Sequence, residues 1–167
     1  LNLTGRAAIV LPDGFLFGEG VKTAIKEKLL DEFNLHTIVR LPNGVFAPYT
    51  GINTNLLFLE RGKTEEIWFY EHQLPQGYKN YTKTKPIKID EFDAEKAWWD
   101  RNNRKETDFA WKVSINEIKQ RNYNLDFKNP NKENEDEQLP TNEIIQKFIK
   151  SQEDIIISLN EIKEMIK

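Results

Sequence analysis

Cysteine is absent from the 167 residues. Its absence excludes a disulfide framework, a thiolate zinc site and a cysteine nucleophile. No apolar run is long enough to read as a membrane span, and no stretch reads as a secretory leader. An excess of positive charge is missing too. Lys and Arg number 24 against 27 Asp and Glu, a formal net charge of −3. The chain therefore has no global basic footprint of the kind that marks a strong stand-alone nucleic-acid binder. Histidine is scarce: His36 lies in a predicted strand and His72 at a strand end. Neither has a serine or carboxylate at a telling spacing, so both read as structural. Metal-ligand spacing is not found. There is no initiator methionine, and only Leu1 to Gly5 precede the first predicted strand. So short a lead cannot build a partner for that strand. The expectation is the C-terminal part of a larger, cytoplasmic protein without a membrane partner.

What is present centres on Arg40–Glu60, RLPNGVFAPYTGINTNLLFLE. The β-branched run Thr37-Ile38-Val39 reads as a buried strand. Leu41-Pro42-Asn43-Gly44 then ends it, because Pro cannot continue a central strand and Asn-Gly favours a tight turn. Val45-Phe46-Ala47-Pro48 pins an aromatic between the turn and a second proline. After Tyr49-Thr50-Gly51 a second strand runs from Thr54 to Glu60. Phe46 stands at the centre of a stiff loop. From the residues alone it is either a plug for the core or a platform for a flat ligand.

This stretch resembles the segment of amino-methylating DNA methyltransferases that stacks on a base flipped out of the duplex. The longer string resembles the methylation subunit of type I restriction–modification systems, which are adenine-specific. There, a strand, a Leu-Pro turn, a Val/Ile-Phe pair and a Gly-x-x-Thr-Asn-x-Leu-Phe strand recur in this order. Here they are His36–Leu41, Pro42–Gly44, Val45-Phe46 and Gly51–Phe58. The resemblance implies that Phe46 is the stacking platform for the extruded adenine, which loses its partners on leaving the helix. It covers roughly residues 3–128. It is specific in Gly5–Phe17, which contains Arg-Ala-Ala-Ile-Val-Leu-Pro-Asp-Gly, and in Arg40–Arg61, and looser after Lys88.

Taken in order, Arg6–Leu11 is short and apolar and reads as a buried parallel strand. Leu11-Pro12-Asp13-Gly14 has nearly the same words as Leu41-Pro42-Asn43-Gly44, which suggests one turn used twice. Gly18-Glu19-Gly20 opens a helix from about Val21 to Phe33. It is either a flexible helix start or a phosphate cradle. Val21, Ile25, Leu29 and Phe33 form a stripe at i+4 steps, widened by Leu30, and Asn34 suits the helix stop. Strand, helix and strand over residues 6–41 make a βαβ unit. The strands Thr54–Glu60 and Ile67–Glu71, joined by Arg61-Gly62-Lys63, suit an antiparallel hairpin. The expected class is α/β. The resemblance implies the C-terminal part of a Rossmann-like S-adenosylmethionine-dependent methyltransferase fold, parallel strands ending in that hairpin.

Gln76–Lys88 carries Lys79, Lys83, Lys85 and Lys88 between Tyr78 and Tyr81, with no acid among them. Such a stretch can track a phosphate backbone and stack on bases, or it is a solvated surface hairpin. Trp98, Trp99 and Trp111 read as pins for an irregular wrap, residues 91–128. Within it, Trp111–Ile115 suits a short strand, and Ser114 with Glu117 suits a capping box. Asn122-Tyr123-Asn124-Leu125 follows, resembling the Tyr-Asn-Leu near the end of the catalytic domain in type I methylation subunits.

Residues 1–90 are thus the expected domain part, 91–128 its extension, 129–140 a polar linker and 141–167 a helix. The helix has a heptad seam: Ile145, Gln152, Leu159 and Ile166 at one position, Phe148, Ile155 and Ile162 at the other. Such a seam packs on its own domain or on a partner. The resemblance names that partner as the specificity subunit, with the restriction subunit as a further contact and DNA as substrate; without that partner, the seam is expected to pair with a second copy of the chain. No catalytic constellation is seen. The family's Gly-rich S-adenosylmethionine loop and Asn/Asp-Pro-Pro-aromatic motif have no counterpart. By resemblance, then, this chain is the target-base half of a pocket, inactive and cofactor-free by itself. Two rivals stay open: a non-catalytic nucleic-acid-binding module, and an assembly subunit working through its coiled-coil-like tail.

Overall fold

The computed structural model describes residues 1, 2 and 4–131, together with Ile145, Ile149 and Gln152. The chain divides into two compact units, Leu1–Lys132 and Glu133–Lys167. The first is an α/β unit with one five-stranded mixed sheet. Its strands are β1 (Arg6–Pro12), β2 (Phe33–Leu41), β3 (Thr54–Arg61), β4 (Glu66–Glu71) and β5 (Ala110–Ser114). Its helices are α1 (Asp13–Leu16), α2 (Val21–Glu32), α3 (Asp93–Trp98) and α4 (Ile115–Gln120).

The sheet order is β1-β3-β2-β4-β5. β3 runs antiparallel to both β1 and β2, and β2 is parallel to β4. So β1, β2 and β4 point the same way, and their C-terminal ends share one edge of the sheet. Three expectations are corrected. The predicted hairpin of Thr54–Glu60 and Ile67–Glu71 does not form, because β2 lies between β3 and β4. Arg6–Leu11 pairs antiparallel with β3, not parallel with a neighbour. It is an edge strand whose Ile9 and Val10 are exposed.

Alternation along the strands sends neighbouring side chains to opposite faces. Ile38, Leu57, Ile67, Phe69, Trp111 and Val113 enter the larger core, closed by Leu16, Leu30, Ile118, Leu125 and Phe127. Val39, Leu41, Tyr70 and Ala110 enter the smaller core on the other face, closed by Val45, Phe92, Trp98 and Trp99. Trp111 is therefore not a pin for a surface wrap. It is a β5 core residue stacked on Phe69 at 5.4 Å between ring centroids. Ser114 caps α4 as expected, its Oγ accepting from the Glu117 N–H at 3.3 Å.

α2 buries only the C-terminal half of the predicted stripe: Leu30 enters the larger core, and Leu29 and Phe33 pack against it. Val21 and Ile25 are exposed, whereas Lys26 and Leu30 are buried. Lys26 goes inside because its ammonium donates to the Leu16 carbonyl at 2.7 Å and the Gly18 carbonyl at 2.9 Å. Both carbonyls lie at or just beyond the end of the short α1, where no following helical turn donates to them. Burial lowers the pKa of Lys26. Asn34 is not a helix stop but the second residue of β2. Thr64 closes that junction: its N–H donates to Leu30 O at 3.0 Å, and its hydroxyl bridges Leu35 N and Phe33 O. The two Leu-Pro turns also differ. Asp13-Gly14 opens α1, whereas Gly44 adopts φ +84°.

These burial differences set the expected stabilities. Leu57→Ala, in the fully buried centre of β3, should cost ~2–5 kcal/mol in urea unfolding. Val21→Ser and Ile25→Ser should each stay within ~0.5 kcal/mol of the parent chain. A serine variant as damaging as Leu57→Ala would mean that Val21 and Ile25 are buried after all.

Candidate functional site

Two segments leave the shared C-terminal edge of the sheet: residues 42–53 after β2 and 72–88 after β4. The first is stiffened locally. The N–H of Ala47 donates to Gly44 O at 2.9 Å, and those of Tyr49 and Thr50 donate to Phe46 O at 2.9 and 3.2 Å. Ala47-Pro48 is cis. The Val45-Phe46 pair divides its work. Val45 packs into the smaller core. Phe46 belongs to neither core and is 39% exposed, with Tyr49 and Ile52 on the same loop still more open.

The second segment is docked on the first. Tyr81 N–H donates to Asn43 O at 3.1 Å. A Cβ on Gly44 would fall 2.0 Å from Tyr81 O. Gly44 is thus required twice, by its positive φ and by this close approach. Lys79, Lys83 and Lys85 are exposed on this segment. Thr82 and Lys85 close a small turn, and the Lys85 ammonium lies 5.0 Å from the Tyr78 ring centroid. Tyr81 is fully buried, so the expectation that it stacks on bases is corrected. The fold thus places the Phe46 loop and the lysine segment on one edge of the sheet, joined at Tyr81.

Beneath that joint lies a cluster that sequence reasoning missed. His72 is buried, and its Nδ1 is 2.5 Å from Glu95 Oε1. Its Nε2 is 3.1 Å from the Tyr81 hydroxyl, which donates to Glu91. The carboxylate partner stands well downstream of His72 and reaches it only because α3 folds over the smaller core. No local spacing announces that contact. A second polar cluster sits where β1, β2 and β3 meet the same edge. Arg40 pairs with Asp126 at 2.8 Å and donates to Phe127 O at 2.8 Å, while Asn55 donates to Asp13 at 2.6 Å.

Gly18-Glu19-Gly20 does not form a cradle. The Lys22 side chain fills the space beside Gly18, where a Cβ would lie 2.1 Å from Lys22 Cδ. Lys22 itself donates to Gly14 O at 2.9 Å. Asn129 and Asn131, at the start of the predicted polar linker, are held by Asp108 O at 2.7 Å and Thr107 O at 2.8 Å. Of the predicted seam, Ile145 is helical and 50% exposed, and Gln152 is helical and exposed. Phe148, Ile155, Leu159, Ile162 and Ile166 lie outside the described residues.

Known proteins resemble this chain closely. The profile of a family described as N-6 DNA methylase matches residues 1–138. The methylase subunit of the type I restriction enzyme EcoEI from Escherichia coli is 64% identical over 132 residues, covering 75% of this chain and 27% of the relative. A crystal structure assigned as a modification subunit of a type I restriction enzyme from Vibrio vulnificus YJ016 superposes with a TM-score of 0.71 at 53% identity, covering 77% of this chain and 28% of that one. A chain from a structural study of complex assembly and conformational transition in the type I restriction–modification system gives a TM-score of 0.73 at 36% identity, covering 98% and 36%. The chain thus spans about a quarter to a third of these relatives' length.

The other histidine yields a pH prediction. His36 stacks edge-on against Trp99 and approaches Thr37 Oγ1 at 2.7 Å. Its pKa is lowered to about 4, first by burial and then by Arg101. An unfolded histidine takes up its proton near pH ~6.5, whereas this one resists in the fold. The contribution is therefore whole above about pH 6.5 and is lost as the pH falls toward about 4. The urea midpoint of the chain should drop across that interval, and His36→Phe should drop less. Parallel curves for the two chains would show that His36 is not held neutral.

Proposed function

Because the chain belongs to the N-6 DNA methylase family, we propose that it is the target-base part of an adenine-specific DNA methyltransferase, the methylation subunit of a type I restriction–modification system. The observation that carries this is the division of Val45-Phe46. One side chain anchors the loop in the core, and its neighbour is held out, half-exposed, on a backbone made rigid by its own hydrogen bonds. An aromatic kept from the core by a stiff loop offers a face to a base that has left the helical stack. Val45 takes the part of plug, which leaves Phe46 free to be the platform.

The lysines then have a role. Lys79, Lys83 and Lys85 lie on the segment docked against that loop, where they neutralise phosphates near the extruded base. Methyl donation from S-adenosylmethionine needs another part of the subunit. The Gly18-Glu19-Gly20 turn does not serve for that cofactor, since Lys22 fills the space beside Gly18. The seam read from the sequence at Ile145, Phe148, Ile155, Leu159, Ile162 and Ile166 docks the subunit on the specificity subunit, and further contacts run to the restriction subunit. Without those partners the seam pairs with a second copy.

Two measurements test this reading. In the intact methylase, Phe46→Ala should slow methylation by about 5- to 150-fold, since stacking on one base is worth ~1–3 kcal/mol. The melting temperature of the subunit should barely move, and Phe46→Trp should retain more activity. An unfolded Phe46→Ala subunit, or one of unchanged turnover, returns Phe46 to the role of a plug.

Replacing Lys79, Lys83 and Lys85 by Gln should weaken binding to all duplexes alike. It should also flatten the dependence of log K on log salt, by about one unit for each phosphate that the protein no longer neutralises. An unchanged salt slope would leave these lysines merely solvated.

A further inference from the structure

We propose that the buried chain Glu95–His72–Tyr81–Glu91 is a positioning device for the Phe46 loop, with Tyr81 as its central positioning residue. The proposal rests on the target-base reading above and adds what holds that base platform in place.

Tyr81 and His72 are the middle members of the chain, and through their backbones Tyr81 grips the loop and His72 the end of β2 that leads into it. His72 N–H donates to Arg40 O at 2.9 Å, and Tyr81 N–H donates to Asn43 O at 3.1 Å. Arg40 to Asn43 is the segment that launches Phe46. Its two ends are therefore tied to two residues whose side chains are bonded to each other, Nε2 to hydroxyl, at 3.1 Å.

The proton count runs one way. The Tyr81 hydroxyl spends its single proton on Glu91, so its oxygen accepts from His72 Nε2–H. The remaining ring nitrogen, Nδ1, shares a proton with Glu95 Oε1. Glu91 is fixed in turn by the Lys88 N–H at 3.0 Å. Burial and the Glu91 contact raise the phenol pKa, so the hydroxyl keeps its proton.

Stability alone does not call for this arrangement. An apolar set of the same volume is often as stable as a buried ionisable one. Here Glu95 keeps its second oxygen buried with no hydrogen-bond partner, which costs free energy. What an apolar set cannot supply is direction: hydrogen bonds fix where the ring of Tyr81, and hence its backbone, must sit. Tyr81 also lies between Lys79 and Lys83, so phosphate contacts and base platform share one rigid joint.

Tyr81→Phe keeps the ring and deletes the hydroxyl. In this chain, amide hydrogen exchange at Ala47, Tyr49 and Thr50 should speed up by about tenfold or more, a local opening. Exchange at Leu57 and Phe69 in the sheet should stay as it was. Glu91→Ala, at the half-buried end of the chain, should give the same loop-selective effect and serves if Tyr81→Phe does not fold. Unchanged loop exchange in the folded variant, or equal acceleration of loop and sheet, overturns the proposal. In the intact methylase, a duplex with 2-aminopurine at the target position reports extrusion, and Tyr81→Phe should lower its signal as Phe46→Ala does. If Phe46→Ala lowers the signal and Tyr81→Phe does not, positioning is overturned. If Phe46→Ala leaves the signal unchanged, the target-base reading fails, and the exchange data still decide whether the buried chain holds the loop.

Discussion

Strand β3 runs back between two strands that point the other way, and the geometry of the unit follows from that. It pairs with β1 on one side and β2 on the other, and its Leu57 is fully buried. To enter that slot after β2, the chain must reverse at the edge where β1, β2 and β4 all end. The reversal is the Phe46 loop. A strand inserted centrally cannot shift without breaking two ladders, so both ends of the loop are held by the sheet. The prolines, the positive φ of Gly44 and the carbonyl of Phe46 then leave the loop little freedom of its own.

The same insertion sets the burial of its neighbours. With β2 and β4 central, their residues alternate between two cores, one under α2 and α4 and the other under α3, Trp98 and Trp99. Arg104 lies over both Trp98 and Trp99, 4.5 and 4.9 Å from their centroids, and its guanidinium donates to Thr37 at 2.8 Å. That stack closes the smaller core. It also puts α3 where Glu95 can meet His72. The polar chain beneath the loop is therefore a product of packing on a face far from the loop in sequence.

Much of the local structure is legible in the residues. The β-branched and aromatic runs mark five strands within a few positions, and Pro42, Asn43 and Gly44 mark the turn. Ser114 and Glu117 mark the start of α4. The differences between expectation and fold concern what no local pattern carries. The stripe of Val21 and Ile25 looks like a buried face. Yet the carbonyls of Leu16 and Gly18, at and just after the end of α1, face the other side of α2, and Lys26 with its long stem reaches both. The basic stretch reads as uniformly exposed, but Tyr81 within it is drawn inside by His72 and Glu91.

The elements, the stiffness of the loop and its motif are properties of the residue string, because they depend on backbone dihedrals and turn residues within a few positions of one another. The family is also written there, in the string from Arg40 to Arg61. Strand order is not. Arg61-Gly62-Lys63 is short enough for a hairpin, yet β4 pairs with β2 instead. Pairing depends on which faces bury apolar area across the whole sheet, a sum over distant residues. For the same reason, only the folded chain separates Val45 from Phe46 as anchor and platform, and only folding brings Glu95 to His72.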